Sequence, residues 1–518
     1  MLSQLHPHRV ARAAMSVLSD RVLLLAAMLP LILIPQFPAF AAAADAVPFS
    51  HDQVIELARQ LSRSPAGKPS PVTPGLDKLT YDQYRELRFR VDKAIWSDVD
   101  SPFRLDLLPA GFVYRTPVSV SLVEAGQVSD LLSDPAMWEV GAKVPAALHN
   151  VSLSLSGFRV RTRLNSRTHW DEFLVFQGAS YFRAVGSGQF YGLSARGLAL
   201  GTGEPTGEEF PAFTHFWIER PAPRSPSITI HALLESTSIT GAYQFVVKPG
   251  RDTTIDVEFA LFPRVDLNVV GIAPLTSMFL FDASNRGRFE DFRNAVHDSD
   301  GLAIEADNGE WLWRPLANPR QLQFSSFTSA APRRFGLMQR ARQPVDYQDL
   351  EASYERRPSA WVEPLGTWRP GPVRLIEIPS LLETNDNIVS FWQPRGGLAA
   401  GRVYRGTYRL HWSAELPSPA GLARVVATRI GGSFDGKRKL FVVDLTGAGM
   451  NSEGLKIMVS NNAGKVSNAV IQPNPMIKGL RASFELDPND AQMVELRLVV
   501  MKDQRVVSET WLYRWTAS

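Results

Sequence analysis

Tyr404-Arg405-Gly406-Thr407-Tyr408-Arg409-Leu410-His411 sets Tyr404, Gly406, Tyr408 and Leu410 on one face of an extended chain and Arg405, Thr407, Arg409 and His411 on the other. Side chains of a strand alternate with a period of two, so this octet predicts a half-buried β-strand. The same texture recurs beyond Trp96, in Val118 to Val123, Val151 to Val160, Glu172 to Gln177, Ser227 to Leu233, Ala242 to Val247 and Thr254 to Phe262. These β-branched and aromatic runs are bounded by Gly, Pro, Asn or Asp, and no long helical pattern separates them. Such a series predicts a mainly β protein built on a large antiparallel β-sandwich and argues against a Rossmann or TIM architecture. Helical spacing is confined to the start. Val54, Leu57, Ala58 and Leu61 recur at three- and four-residue steps between Ser50 and Arg63, and a second short helix is predicted from Tyr81 to Val91.

A chain of 518 residues exceeds one ordinary core, so more than one domain is expected. Residues 393–402 are rich in Gly, Ala and Pro and lack periodicity, as a linker would. The expected large sandwich therefore spans 45–392. The part after the linker, 403–518, carries the octet and the further runs Leu422 to Ile430, Lys439 to Leu445, Val494 to Met501 and Val506 to Trp515. Roughly seven short strands in that length resemble a smaller immunoglobulin-like C-terminal β-sandwich.

Residues 1–44 read as a secretory signal. A basic leader precedes the apolar core Val22 to Ile34, Pro35 and Pro38 break any helix, and Ala39-Phe40-Ala41 offers a small-x-small cleavage pattern. The alternative is an uncleaved membrane anchor, but the core is short for a span and Pro30 interrupts it. The expected destination is the periplasm, with no stable membrane insertion after cleavage. The formal charge is +3, of which Arg9, Arg12 and Arg21 against Asp20 give the leader +2, so the remainder is nearly neutral. A neutral body without Lys/Arg runs carries no electrostatic footprint for nucleic acid and suits an uncharged ligand.

The chain has no cysteine, which excludes thiol nucleophiles, Cys-based zinc sites and disulfides. HExxH and Gly-x-Ser-x-Gly are absent. Asp298-Ser299-Asp300-Gly301 begins like a calcium loop, but Leu302 stands where that loop needs an oxygen ligand. No metal and no cofactor are expected.

What remains is carboxylate chemistry in one stretch, His297 to Trp392, which holds five of the 12 tryptophans: Trp311, Trp313, Trp361, Trp368 and Trp392. Aromatic rings stack on sugar faces, carboxylates bind hydroxyls, and a suitable pair of carboxyl groups cleaves a glycosidic bond. Asp386 lies in the polar turn Thr384-Asn385-Asp386-Asn387 before an apolar strand ending at Trp392. Burial beside aromatic rings would favour the protonated form that a general acid needs. Asp298 sits beside His297 and close to Asp300, a crowding that could hold a water. The competing reading makes these aspartates turn formers bonded to their own backbone. Trp311 and Trp313, at strand spacing, share a face that is either core or a sugar platform.

Long segments of the chain resemble a known family. They include Tyr81-Asp82-Gln83-Tyr84-Arg85, Ala179-Ser180-Tyr181-Phe182-Arg183, Tyr191-Gly192-Leu193-Ser194-Ala195-Arg196-Gly197 and Ala273-Pro274-Leu275-Thr276-Ser277-Met278-Phe279. They continue through His297-Asp298-Ser299-Asp300-Gly301-Leu302, Asn308-Gly309-Glu310-Trp311-Leu312-Trp313-Arg314-Pro315-Leu316, Glu355-Arg356-Arg357-Pro358-Ser359 and Glu383-Thr384-Asn385-Asp386-Asn387. The resemblance is to the periplasmic glucan biosynthesis proteins of the G and D branches (OpgG/MdoG and OpgD), and the ordinary leader looks more like the G branch.

The resemblance implies a large N-terminal β-sandwich with an extended groove, joined to the smaller C-terminal one. It implies a role in making osmoregulated periplasmic glucans, with β-1,2-glucan cut or transferred with inversion. The family's general acid falls on Asp386. The water-activating carboxylate falls on Asp298, with Asp300 as the rival, and the proton is passed through a substrate hydroxyl. Glu383, Arg314, Trp311, Trp313, Tyr354 and Arg357 are the candidates for binding glucan in the groove. The implied partners are the β-glucan itself and the inner-membrane glucan synthase. The alternative is a non-catalytic glucan-binding protein that assists that synthase.

Overall fold

Phe158 and Phe176 from one sheet meet Phe216 and Phe245 from another, with ring centroids 5.0 Å apart for Phe158–Phe216 and 5.1 Å for Phe176–Phe245. These edge-on contacts mark the centre of a sandwich in the computed structural model, which describes residues 48–329, 331–415, 419, 421–447 and 453–517. The secretory-signal reading of 1–44 lies outside the described residues. As expected, the architecture is mainly β.

One face is a ten-stranded sheet running Arg104–Pro109, Leu155–Thr162, Asp171–Gln177, Tyr181–Ala184, Ser194–Arg196, Val270–Ser277, Ile388–Trp392, Gly371–Glu377 and Gln323–Ser329, with Leu198–Leu200 beside Val270–Ser277. The other is a 15-stranded sheet whose middle is the antiparallel ladder Ala212–Glu219, Ile228–Glu235, Ile239–Lys248 and Thr253–Pro263. Burial alternates along Thr253 to Val257, with Thr253, Ile255 and Val257 buried, as a sheet packed on one face requires.

Helix α1 (His51–Leu61) forms where the apolar spacing predicts it. Ser50 supplies a capping box with Gln53, and Val54, Ile55 and Ala58 are buried against the outer face of the ladder. The second helix is shorter than its spacing suggests. It covers only Tyr81–Tyr84, and Leu87–Phe89 then pairs as a strand with Trp138–Val140. Burial of alternate residues Leu87 and Phe89 overrides continued helical spacing there.

The octet lies in the large sandwich, not at the start of a separate one. Tyr404–Ser413 pairs antiparallel with Thr253–Pro263 on one side and Ser359–Leu365 on the other. Its apolar face delivers Tyr408, Leu410 and Trp412 to the main core, where Trp412 meets Phe182 at 6.0 Å. The chain therefore crosses residues 393–402 and re-enters the large sheet before leaving it. A period of two identifies a strand, but its neighbours are chosen by tertiary packing.

Beyond Ser413, a four-stranded sheet (Arg424–Gly432, Lys439–Thr446, Gly479–Asp487, Lys465–Asn474) covers Leu455–Asn461, Met493–Lys502 and Thr510–Thr516. Phe441 and Phe484 stack at 5.0 Å, beside Trp511 and Tyr513. The outer layer continues into the large sheet, because Thr510–Thr516 runs parallel to Trp311–Pro315.

Candidate active site

The two motifs at the ends of the tryptophan-rich stretch are fastened to one backbone position. Phe279 and His297 are register partners in a short antiparallel pair. The side chain of Asn387 accepts from the Phe279 N–H at 2.8 Å and donates to its carbonyl at 3.0 Å and to that of Ile378 at 3.0 Å. Asp298 follows His297 and Asp386 precedes Asn387, so both candidate carboxylates hang from the same clamp. Asn387 is buried, which makes its fully bonded amide a strong local constraint.

His297 serves this scaffold. It is buried, its ring stacks on Phe279 at 5.3 Å, and its Nδ1 lies 3.0 Å from Gln339 Oε1. Gln339 in turn donates to the carbonyls of His297 at 3.0 Å and Tyr354 at 3.1 Å. Burial lowers the imidazole to about 3, so the ring is neutral at ordinary pH and acts as a strut rather than a charge.

Asp298 is 4 % exposed, its N–H donates to Met278 O at 2.8 Å, and its carboxylate is bonded by the Arg357 guanidinium. Burial pushes the carboxyl above its ordinary range. Arg357 opposes that shift, and the charge of Asp386 adds to it. The guanidinium of Arg357 also lies 4.2 Å from the centroid of the Tyr354 ring. The Tyr354 hydroxyl donates to Glu383 Oε2 at 3.3 Å, and Arg293 holds that same carboxylate oxygen at 2.7 Å. Asp386 receives Arg183 Nη2 at 3.4 Å, while Arg183 Nε donates to Ser194 Oγ at 2.7 Å. The structure thus gathers Asp298, Asp386, Arg357, Tyr354 and Glu383 into one polar cluster.

Other expected residues lie elsewhere. Asp386 itself is at the rim, its side chain 29 % exposed, and is not buried among aromatic rings. Asp300 turns away from Asp298: its Oδ2 accepts from the N–H groups of Arg340 and Ala341 at 2.9 and 3.0 Å. It lines a cavity of about 730 Å³ with Trp313, Arg340 and residues of the C-terminal layers. Trp313 is buried under the Arg340 guanidinium, 3.5 Å from the ring centroid, and Trp311 stacks on Trp361 at 5.9 Å. Trp313 and Trp361 are buried in the core shared with the C-terminal sheets and half-buried Trp311 packs against it, so the face of Trp311 and Trp313 packs as core. Arg314 is buried in an ion pair with Glu377 at 3.0 Å. Alternation tells that residues share a face but not which layer covers it.

Two members of the cluster, Arg183 and Arg293, are absent from the sequence-based site. Arg183 sits in an otherwise apolar strand, Tyr181–Ala184, and a charge in that setting is the signal that could have marked it. Arg293 carries no such mark; Asp291 is near it in sequence, but Asp349 and Glu383 reach it only in the fold.

The cluster can do two things chemically. Glu383, Asp386, Arg183 and Arg357 can bond sugar hydroxyls, and two carboxyl groups in mutual electrostatic reach can divide acid and base roles.

The family model described as periplasmic glucan biosynthesis protein, MdoG, matches residues 49–515. The chain is 48% identical over 474 residues to glucans biosynthesis protein G of Shewanella sp. (strain ANA-3), covering 90% of this chain and 87% of that protein. It is 48% identical over 473 residues to glucans biosynthesis protein G 1 of Shewanella oneidensis and 46% identical over 473 residues to glucans biosynthesis protein G of Vibrio cholerae serotype O1, with the same two coverages.

Proposed function

The chain belongs to the periplasmic glucan biosynthesis protein family MdoG, and from that premise we propose that it works in the periplasm on β-1,2-linked glucan chains, cutting or transferring them with inversion. The relatives named above are G proteins, the branch that the leader reading favours. The observation that carries the catalytic part is the attachment of Asp298 and Asp386 to the same Phe279 clamp. Asp386 is the acid that protonates the departing glycosidic oxygen. Asp298 accepts the proton of the attacking water, relayed through a hydroxyl of the bound glucan, so the two carboxyl groups need not flank the bond directly. Arg357 supports the ionised form of Asp298 against the effect of burial. Glu383, held by Arg293 and Tyr354, is a rigid acceptor for sugar hydroxyls.

A binding protein that assists the inner-membrane glucan synthase is the second reading. The exposed position of Asp386 against Arg183 favours it, since a carboxylate placed there holds hydroxyls without any proton transfer. Incubating the protein with linear β-1,2-glucan and resolving the products by thin-layer chromatography separates the two. Shortened or cyclised chains, lost by at least ~10²-fold in rate in Asp386→Asn, support the enzyme. Intact glucan that still binds, with Asp386→Asn no different from the parent, supports the binding protein.

A further inference from the structure

A second cleft, of about 530 Å³, opens between the loop 283–288 and segment 317–320 of the large sandwich on one side, and Lys439 and the final strand on the other. Its lining contains Arg286, Arg288, Arg320, Lys439 and Arg514 and no aspartate or glutamate. For a body whose formal charge is nearly zero, that is a concentrated positive site.

One of these charges is already neutralised, since Arg514 is bridged to Glu495 at 2.6 Å. Arg286 is turned to the Asp291 carbonyl, at 2.6 Å, with no ion pair among the described residues. Three others face the cleft without a carboxylate partner. Arg288 donates only to backbone carbonyls, of Asn318 at 2.7 Å and Pro319 at 3.4 Å. Among the described residues, neither Arg320 nor Lys439 has a carboxylate within ion-pair distance. Burial and the neighbouring Arg320 both push the Arg288 guanidinium below its ordinary value, the response of two like charges held together without a counterion. Gly431 and Gly432 leave one wall free of side chains, since a Cβ at either would meet nothing within 4 Å. Half-buried Trp515 provides an aromatic border.

We propose that this cleft binds a phosphate group through Arg288, Arg320 and Lys439, separately from the glucan site. Guanidinium and ammonium donors around an open, partly buried cleft match the charge and the several acceptor oxygens of a phosphate monoester or diester. The cleft has room for an ester as well as for the bare ion. It is walled by loop residues 283–288 and 317–320 and by the strands Arg424–Gly432, Lys439–Thr446 and Thr510–Thr516, so occupancy would bridge these elements.

The test titrates the full chain with inorganic phosphate and with glycerol 3-phosphate at constant ionic strength, read by calorimetry and tryptophan fluorescence. A parallel arm measures flotation with phosphatidylglycerol vesicles against phosphatidylcholine vesicles. The variants are Arg320→Ala/Lys439→Ala, with Lys93→Ala as a basic-surface control outside the cleft and circular dichroism to verify folding. Saturable binding that weakens at least ~10-fold in the double variant and stays intact in Lys93→Ala supports the site, as expected for loss of charge-assisted bonds. Loss in the soluble arm identifies a free phosphate ester; loss in the vesicle arm alone identifies a lipid headgroup. Absence of binding in both arms, or equal binding by the folded double variant, overturns the proposal.

Discussion

The amide of Asn387 grips the backbone of Phe279 at both its N–H and its carbonyl, across more than a hundred residues of sequence. Replacing Asn387 by Ala leaves these buried groups unpaired and releases the Asp386 turn from the strand that also positions His297 and Asp298. The expected cost is ~1–3 kcal/mol of stability, read as a lower urea midpoint. If Asp386 is the acid of the proposed reaction, glucan turnover should fall more through kcat than through KM, since that carboxyl is misplaced while Glu383 and Arg357 remain.

Arg357 and Asp298 predict a pH effect with a definite sign. Burial raises the Asp298 carboxyl and Arg357 lowers it, so Arg357→Met lets it rise further. In the proposed reaction Asp298 is the base, a role that requires its ionised form. The acid limb of the rate profile should therefore move to higher pH, by ~1 unit or more, the usual effect of removing an adjacent opposite charge. An unmoved limb would remove Asp298 from the base role.

Trp313 predicts a stability effect where a sugar platform would predict an affinity effect. Its ring is buried between the large sheet and the C-terminal core, under Arg340, so Trp313→Ala should cost ~3–5 kcal/mol. In Gly301→Ala the new methyl would be driven into the same ring, so this motif glycine also answers to packing. Denaturant melts should register both changes, and glucan affinity of the folded fraction should not fall.

Arg340 and Glu509 form a buried ion pair with two bonds of 2.8 Å, and Arg340 also donates to Val425 O at 2.6 Å. Arg340→Met strands the glutamate and should destabilise the protein by ~3–5 kcal/mol. Arg340→Met/Glu509→Gln should regain much of that, since no charge is then left unpaired. A double-mutant cycle from urea melts measures the difference.

His51 of helix α1 lies with its Nδ1 3.1 Å from His231 Nδ1, and His231 Nε2 lies 2.7 Å from Glu219 Oε1. Burial first, and His231 second, lower His51 to about 4. The unfolded chain therefore binds a proton at this residue before the folded one does. Stability from this group is intact above pH ~6.5 and is lost as pH falls toward 4, by at most ~1.4 kcal/mol per unit. Melting temperatures measured from pH 7 to pH 5 should fall less in His51→Gln than in the parent.

The sequence was informative where a pattern has one physical solution. Helix α1 follows from Ser50 and the spacing of Val54, Leu57, Ala58 and Leu61, and the mainly β texture follows from alternation. It was silent where a partner had to be chosen. The octet alternates cleanly, yet nothing in it names Thr253–Pro263 as its neighbour. Trp311 and Trp313 share a face whichever layer covers them, and Asp300 is two residues from Asp298 in sequence but bonds toward Arg340. Arg183 comes to Asp386 from 203 residues away, a distance at which local spacing carries no information.

The parallel seam between Trp311–Pro315 and Thr510–Thr516 joins segments ~200 residues apart. Until residue 511 is available, Trp313 has no outer neighbour and the sheet stops at an open edge. Pairing over such separations carries a high loop-closure cost, so docking of the last strand, already paired locally with Met493–Lys502, onto Trp311–Pro315 should be a late and slow step. The seam that ties the C-terminal strands to the large sheet is then also the last part to be assembled, and a chain held before that step leaves the short strand Trp311–Pro315 as an open edge ready to pair with another copy.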